Sequence, residues 1–420
     1  SLSFILMSCR ESHPLLTDLS RKTFDSMQIR RLTAYHVPIA MRKNVRHASH
    51  ERTRNDTLIV KCVLNNGSCG WGEGLPRTYV TGESIESVWR HLQAADFEPL
   101  RQNFASTVEI AERIDQWELP AIPPDAGILP RECFGNAARC AVELAILDAA
   151  CRAEKISIGD LIHQLPISRD FSIHKDQVSY SGAVTSESPG GQWLAALKMR
   201  LFAFGQVKVK VGTRGINDAD CLRRVRRVVG AEVDLRLDAN EAWSVDEVAA
   251  RLEPLMKYHP TCIEQPVAHA QIARLRDVKQ RIGLPVMLDE SLCCIEDAIR
   301  AKEGGWCDLF NVRLSKCGGL VRSLRIVAYA RDNRLAYQLG CQVGETGILS
   351  AAGRHFACNV PDLRYLEGSF DRFLVRDRLT EQDLTFRFGG KGPRLSGAGL
   401  GVDVDECRIR TLAIQHSEII

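Results

Sequence analysis

The chain has 420 residues, 45% hydrophobic and 25% charged, the balance of a soluble globular protein with more chain than one small core requires. A net charge of +3, with Lys and Arg scattered, argues against a nucleic-acid partner, and no apolar run reaches the ~18 residues of a membrane span. The 15 cysteines are odd in number, follow no disulfide framework and sit in apolar runs such as Leu147–Cys151, which predicts reduced core thiols in a cytoplasmic protein. The adjacent pair Cys293–Cys294 has no second pair at zinc-ligand spacing.

Residues 1–26 carry a short apolar patch, Phe4–Met7, without the basic start or long apolar stretch of a secretory signal. They are expected to be an extension, partly disordered. From Met27 three strands follow closely: MQIRRLTAYHVPI, then DTLIVKCVLNNG ending in the turn signal Asn66-Gly67, then GSCGWGEG. Helical segments ESIESVWRHLQ and VEIAERIDQW come next. NAARCAVELAILDAACRA has apolar residues all round and so predicts a buried helix. Residues 27–170 therefore read as an α+β capping domain.

Over residues 171–370 strand and helix alternate. QVSYSGAV, QVKVKVG, VDLRLDAN, TCIEQPV, PVMLDES, DLFNVRLSK, AYQLGCQV and LRYLEGS are eight strand-like runs, most separated by a helical segment. SVDEVAARLEPLMKYH opens with Ser244 and Glu247 at capping-box spacing, and CIEDAIRAKEGG stops at Gly304-Gly305. Such alternation predicts an α/β fold with a parallel sheet closed into a TIM-type barrel. Residues 371–420, polar and glycine-rich, form a closing segment expected to pack on the capping domain.

Three of the barrel strands end in an acid. Asp238, Glu264 and Asp289 stand 26 and 25 residues apart, about one βα unit each, so they share one phase at the C-terminal, catalytic end of the barrel. A single acid there would cap a helix or face solvent. Three converging carboxylates call for a cation, and hard oxygen donors with room for water and substrate suit Mg2+. On the strand before, Val207, Val209 and Val211 alternate with Lys208 and Lys210, which places both lysines on the barrel side. Adjacent ammonium groups and burial disfavour protonation while nearby carboxylates and a metal pull opposite ways, so the net shift stays open; a lysine tuned toward neutral pH would serve as a general base. Two solvated lysines on an edge strand are the plainer reading. Asn311 and Arg313 share a face on the sixth strand, with Arg313 in phase with the acids. Glu345, in GCQVGETG, falls near the same mouth, as a direct participant or as an anchor for neighbouring loops.

These residues resemble the enolase superfamily, in its muconate lactonizing (muconate cycloisomerase) branch, close to the mandelate racemase-like enzymes. The resemblance rests on the Lys-x-Lys of VKVKVG, DANEAW, IEQPV, LDESL, NVRLSKCGG, GWGEGLPRTYVTGE, AARCAVELAILDAA and GAGLGVDVDE, in that family's order, from about residue 27 to the end. It implies a modified (β/α)7β barrel under an α+β cap, with Mg2+ on Asp238, Glu264 and Asp289. It also implies proton abstraction alpha to a carboxylate through an enediolate, with Lys210 as base and Lys208 against the carboxylate oxygens. Cap loops near residues 40–55 and Tyr79 would close over the substrate. The sequence departs from the family at Arg313, where a second lysine is usual. Arginine stays protonated and is a poor base. The departure favours cycloisomerization or elimination on one lysine over epimerization. An acid-sugar dehydratase or an N-acylamino acid or dipeptide epimerase remains the alternative on the same fold. A Schiff-base aldolase and a non-catalytic binding protein are alternatives of other classes. The partner expected is a small carboxylate substrate, with a homo-oligomer as the common outcome.

Overall fold

The computed structural model describes residues 26–46, 51–128 and 135–420. Of the expected extension over residues 1–26, all but Ser26 lies outside the described residues, as do residues 47–50 of the expected cap loop. Two sheets organise the chain. The first is antiparallel: Met27–Arg46 pairs with Glu51–Leu64, and that strand with Cys69–Gly74, in the meander order expected. The C-terminal strand Gln415–Glu418 returns to pair antiparallel with the first, Thr33 opposite Glu418.

The helix Asn136–Glu154 lies against this sheet at unusually close range. Ala137, Ala141, Ala145 and Ala149 form one ridge, and Gly70, Gly72 and Gly74 form the groove that receives it. A Cβ at Gly72 would stand 2.0 Å from the Ala141 carbonyl oxygen, and one at Gly70 2.1 Å from the Ala149 nitrogen. The alternating glycines of GSCGWGEG thus serve close packing, and the residues between them face the other way.

The second sheet holds eight parallel strands: Gly182–Val184, Gln206–Lys210, Asp234–Asp238, Pro260–Glu264, Val286–Leu288, Leu309–Val312, Ala336–Leu339 and Tyr365–Leu366. A helical connection follows each of the first seven, so the order is (β/α)7β. The Ser181 amide donates to the Leu366 carbonyl at 2.8 Å, bridging the first strand to the last. Inside, Cys262, Met287, Leu309 and Tyr365 pack together with Ala336 as an apolar floor. Two residues further along each of these strands comes the polar layer of the mouth.

Two local readings differ. QVSYSGAV is not one strand: Gln177–Ser179 pairs antiparallel with Lys391–Pro393, and only Gly182–Val184 joins the barrel. SVDEVAARLEPLMKYH is not one helix either. Val248–Leu252 is helical, and from Glu253 a 3-10 helix takes over because Pro254 has no N–H to continue the ladder. The capping box there is half made: Ser244 donates its N–H and hydroxyl to Glu247, and no hydroxyl cap follows. Gly305 does end the helix Ile295–Gly304, in left-handed conformation at φ 67°. Among the described residues no helix is long and apolar enough to cross a membrane.

Candidate active site

Strand register brings the site together. Lys210 is opposite Asp238, and Asp238 is opposite Glu264, so the three form one row across three strands. Val207, Val209 and Val211 are buried against the helices, which turns Lys208 and Lys210 inward. Asp289 directly follows the fifth strand and is fully buried, as is Glu264, while Asp238 is 5% exposed.

Cations bridge these carboxylates. Lys208 Nζ lies 3.0 Å from Asp238, 3.5 Å from Glu264 and 2.8 Å from Glu367 of the eighth strand. Arg313 pairs with Asp289 and stands 3.8 Å from Glu264. Asn311 donates to Glu264 Oε1 at 2.7 Å. Below them Arg236, 1% exposed, joins Glu367 to Ser181 and lies over the Tyr365 ring at 4.7 Å.

The two lysines of VKVKVG differ in charge. Burial works against the charge of Lys208, but Asp238, Glu264 and Glu367 together outweigh it and raise its pKa well above the ordinary value. Lys210 goes the other way: burial, helped by the neighbouring Lys208, lowers its pKa against the pull of Asp238. Burial also opposes ionisation of Asp289, yet Arg313 and Lys316 hold its carboxyl below the usual range. Glu264 is raised well above that range, chiefly by burial. Glu345 is placed at the mouth by the loop after the seventh strand, where its carboxylate accepts the Gln342 N–H at 2.6 Å and burial pushes its pKa up to about 8.

Sequence reasoning missed Lys316, Glu367 and Arg236. Lys316 is wholly buried, its ammonium 2.9 Å from Asp289 Oδ1 and hydrogen-bonded to the carbonyls of Asp289 and Asn311. The signal was available for Glu367, which ends its strand as the other acids do. Arg236 sits two residues before Asp238 and so on the same face.

Among the described residues, no three Asp, Glu, His or Cys side chains stand close enough to hold an ion as placed; Lys208 and Arg313 lie between the carboxylates instead. The donor chemistry still suits a hard divalent cation. Asn311 Oδ1 and both polar atoms of Gln338 on the seventh strand are buried without a hydrogen-bond partner, and Glu264 Oε2 has only the ion pair with Lys208 at 3.5 Å. Such orphaned groups call for water or an ion.

The cap covers this mouth. Asn55 and Arg77 donate to the Val343 carbonyl at 3.2 and 3.0 Å, and the Leu75 N–H donates to Ser315 at 2.8 Å. Asn136 donates to the carbonyls of Cys293 and Lys316 at 3.0 and 2.6 Å.

The enolase C-terminal domain-like family matches residues 193–408. The chain is 26% identical over 302 residues to a hydrophobic dipeptide epimerase of Enterococcus faecalis, covering 72% of this chain and 79% of that protein. It is 24% identical over 388 residues to a chloromuconate cycloisomerase of Cupriavidus necator, covering 91% and 98% respectively. In fold it is similar to a dipeptide epimerase from Cytophaga hutchinsonii solved with Mg and the dipeptide D-Ala-L-Val. That match has a TM-score of 0.78 at 22% identity and covers 94% of this chain and 100% of that one.

Proposed function

The chain belongs to the enolase superfamily, and from that membership we propose that it abstracts a proton alpha to the carboxylate of a small substrate, through an enediolate. The observation that carries the reading is the row Lys210–Asp238–Glu264, in which a lysine of lowered pKa is in direct register with two of three buried acids. Lys210 takes the proton. Lys208, held charged, faces the developing negative charge on the substrate carboxylate. Glu345, protonated at neutral pH with its pKa near 8, donates a hydrogen bond to a substrate oxygen. Asp238, Glu264 and Asp289 would hold Mg2+, which supplies electrophilic stabilisation of carboxylate oxygens.

The same geometry favours a one-base reaction, a muconate-cycloisomerase-like ring closure or elimination. Arg313 is committed to Asp289 and Glu264 and stays charged. Lys316, the lysine beside it in sequence, is buried with its ammonium hydrogen-bonded to Asp289, and Asp289 outweighs burial to raise its pKa. Neither serves as a second base on the opposite face of the alpha carbon. The epimerase reading is supported by the relative of Enterococcus faecalis. The 13 described cysteines are all free thiols, which supports a cytoplasmic setting. A homo-oligomer belongs to the same reading.

The test is a screen of carboxylates, muconates and dipeptides among them, in deuterated water with Mg2+. Ring closure or exchange on one face only is expected. Racemization would overturn the one-base reading, and no proton exchange with any carboxylate would overturn the enzyme assignment. Calorimetric titration with Mg2+ checks the metal independently, with no heat of binding as the adverse result.

A further inference from the structure

Glu73 lies in the cap strand Cys69–Gly74, between the glycines that face the cap helix, so its side chain projects the opposite way, toward the barrel. It is fully buried, and among the described residues no side-chain cation is paired with it. Its partners are the Thr346 N–H at 2.8 Å, the Thr346 hydroxyl at 2.7 Å and the Leu349 N–H at 2.9 Å. Thr346 is the N-cap of the 13-residue helix Gly347–Asn359 and directly follows Glu345. The unsatisfied first-turn amides of a barrel helix are therefore met by a carboxylate from the other sheet.

The approach is close on the same loop. Gly344 has φ 94°, and a Cβ there would stand 1.5 Å from Asn55 Nδ2 of the cap. Asn55 and Arg77 both bond the Val343 carbonyl. A second cap carboxylate repeats the arrangement: Glu143 accepts the Val321 N–H at 3.0 Å, in the first turn of Leu320–Asp332, the helix after the strand that ends near Arg313.

We propose that Glu73 is a positioning residue for Glu345: by capping the helix Gly347–Asn359 it holds the loop that carries Glu345 over the barrel mouth. This rests on the reading of Glu345 as the acid. Two cap carboxylates docked on two successive barrel helices make the cap part of the catalytic scaffold as well as a lid. A carboxyl displaced by about 1 Å from its reacting partner loses on the order of 10²-fold in rate, so a remote cap matters to turnover. Electrostatics add to geometry. Burial is the chief reason the Glu345 pKa stands near 8, and the Glu73 charge raises it further. The other groups facing Glu345 are Arg77 from the cap, Arg313 from the sixth strand, Cys140 from the long cap helix and Cys341 on its own loop. Asp371 also faces Glu73.

Isotope-edited infrared titration of the carboxyl band that Glu345→Gln removes tests this without any substrate. In Glu73→Gln the band is expected to titrate at lower pH, by roughly half a unit or more. The upper limb of the turnover profile should move with it. In Glu73→Ala, kcat is expected to fall about tenfold or more with KM changed less than about threefold. Glu73→Gln, which keeps one acceptor oxygen, should recover part of that loss. If Glu73→Ala does not fold, the Glu73→Gln titration decides alone. An unmoved Glu345 titration with unchanged kcat overturns the proposal. A Glu345 carboxyl already ionised at neutral pH in the unaltered protein overturns both its acid role and this proposal. Absence of turnover with every carboxylate overturns the proposed reaction, and the infrared titration then still reads Glu73.

Discussion

Two sets of buried carboxylates divide the molecule. At the barrel mouth, Asp238, Glu264, Asp289 and Glu367 meet side-chain cations: Lys208, Arg236, Arg313 and Lys316. In the cap, Glu73 and Glu83 meet backbone N–H groups at helix N-termini instead, and Glu143 does the same with the Arg139 charge also nearby. Burial is comparable in the two sets, and at the mouth Glu264 is still raised by it, so the difference in ionisation lies at Asp289 and Glu367. Glu367 is brought down to about 2 by Lys208 and Arg236 against the opposing effect of burial, whereas burial pushes Glu73 and Glu83 up to about 7. At Asp289 and Glu367 two cations each outweigh burial and hold the acid ionised. Amide N–H groups and a threonine hydroxyl suffice to orient Glu73 and leave its charge costly. On the proposed reading the mouth serves the chemistry and the cap the registration.

The comparison breaks first at the proposed base. Lys210→Ala should cost about 10²–10⁴-fold in turnover while circular dichroism and Mg2+ affinity stay unchanged; near-normal turnover would remove Lys210 from the reaction. Next in size is a countercharge. Lys316→Met leaves wholly buried Asp289 with Arg313 alone, and should cost about 3–5 kcal/mol in denaturant unfolding. A loss below about 1 kcal/mol would mean that the lysine is dispensable to the charge balance of the mouth.

Arg313→Lys sharpens the mouth itself. It replaces a fixed cation by one that can lose its proton, and deuterium should then enter the alpha carbon from both faces. Exchange confined to one face would show that Arg313 is not what blocks a second base.

The smallest effect tests the cap. Glu73 and Glu83 bind protons more tightly folded than unfolded, with pKa raised from 4.5 to about 7. Folding stability from these groups is therefore greatest in acid and falls as pH rises from 4.5 through about 7, then levels off. Glu83→Gln should flatten that slope and be nearly neutral, within about 1 kcal/mol, below pH ~5. Urea midpoints across the window, read as the difference between variant and parent, check both. A parent-minus-variant difference independent of pH would show that folding does not raise the Glu83 pKa.

Much of this is legible in the amino-acid sequence. The valines of VKVKVG fixed which face its lysines share, and equal spacing put Asp238, Glu264 and Asp289 in phase, because a strand alternates with period 2 and a βα unit has a typical length. The run of apolar residues in Asn136–Glu154 announced a helix buried on every side, as it is. Its partner was less legible: the glycines of GSCGWGEG read as a strand with gaps, and only the Ala ridge against them explains the gaps.

Sequence by itself settled the barrel and its phase, and it placed Asp238, Glu264 and Asp289 but not Arg236, Lys316 or Glu367, since phase follows from local periodicity repeated along the chain. Pairing across the chain was decided by tertiary structure alone. Lys208 and Lys210 are two residues apart on one face, yet one is held charged by Asp238, Glu264 and Glu367 while burial lowers the pKa of the other. Glu73 and Thr346 are 273 residues apart, and no local pattern in GWGEG points to the helix it caps. Burial and countercharge come from non-local neighbours, so the ionisation of each acid and lysine was fixed only when the two sheets closed on one another.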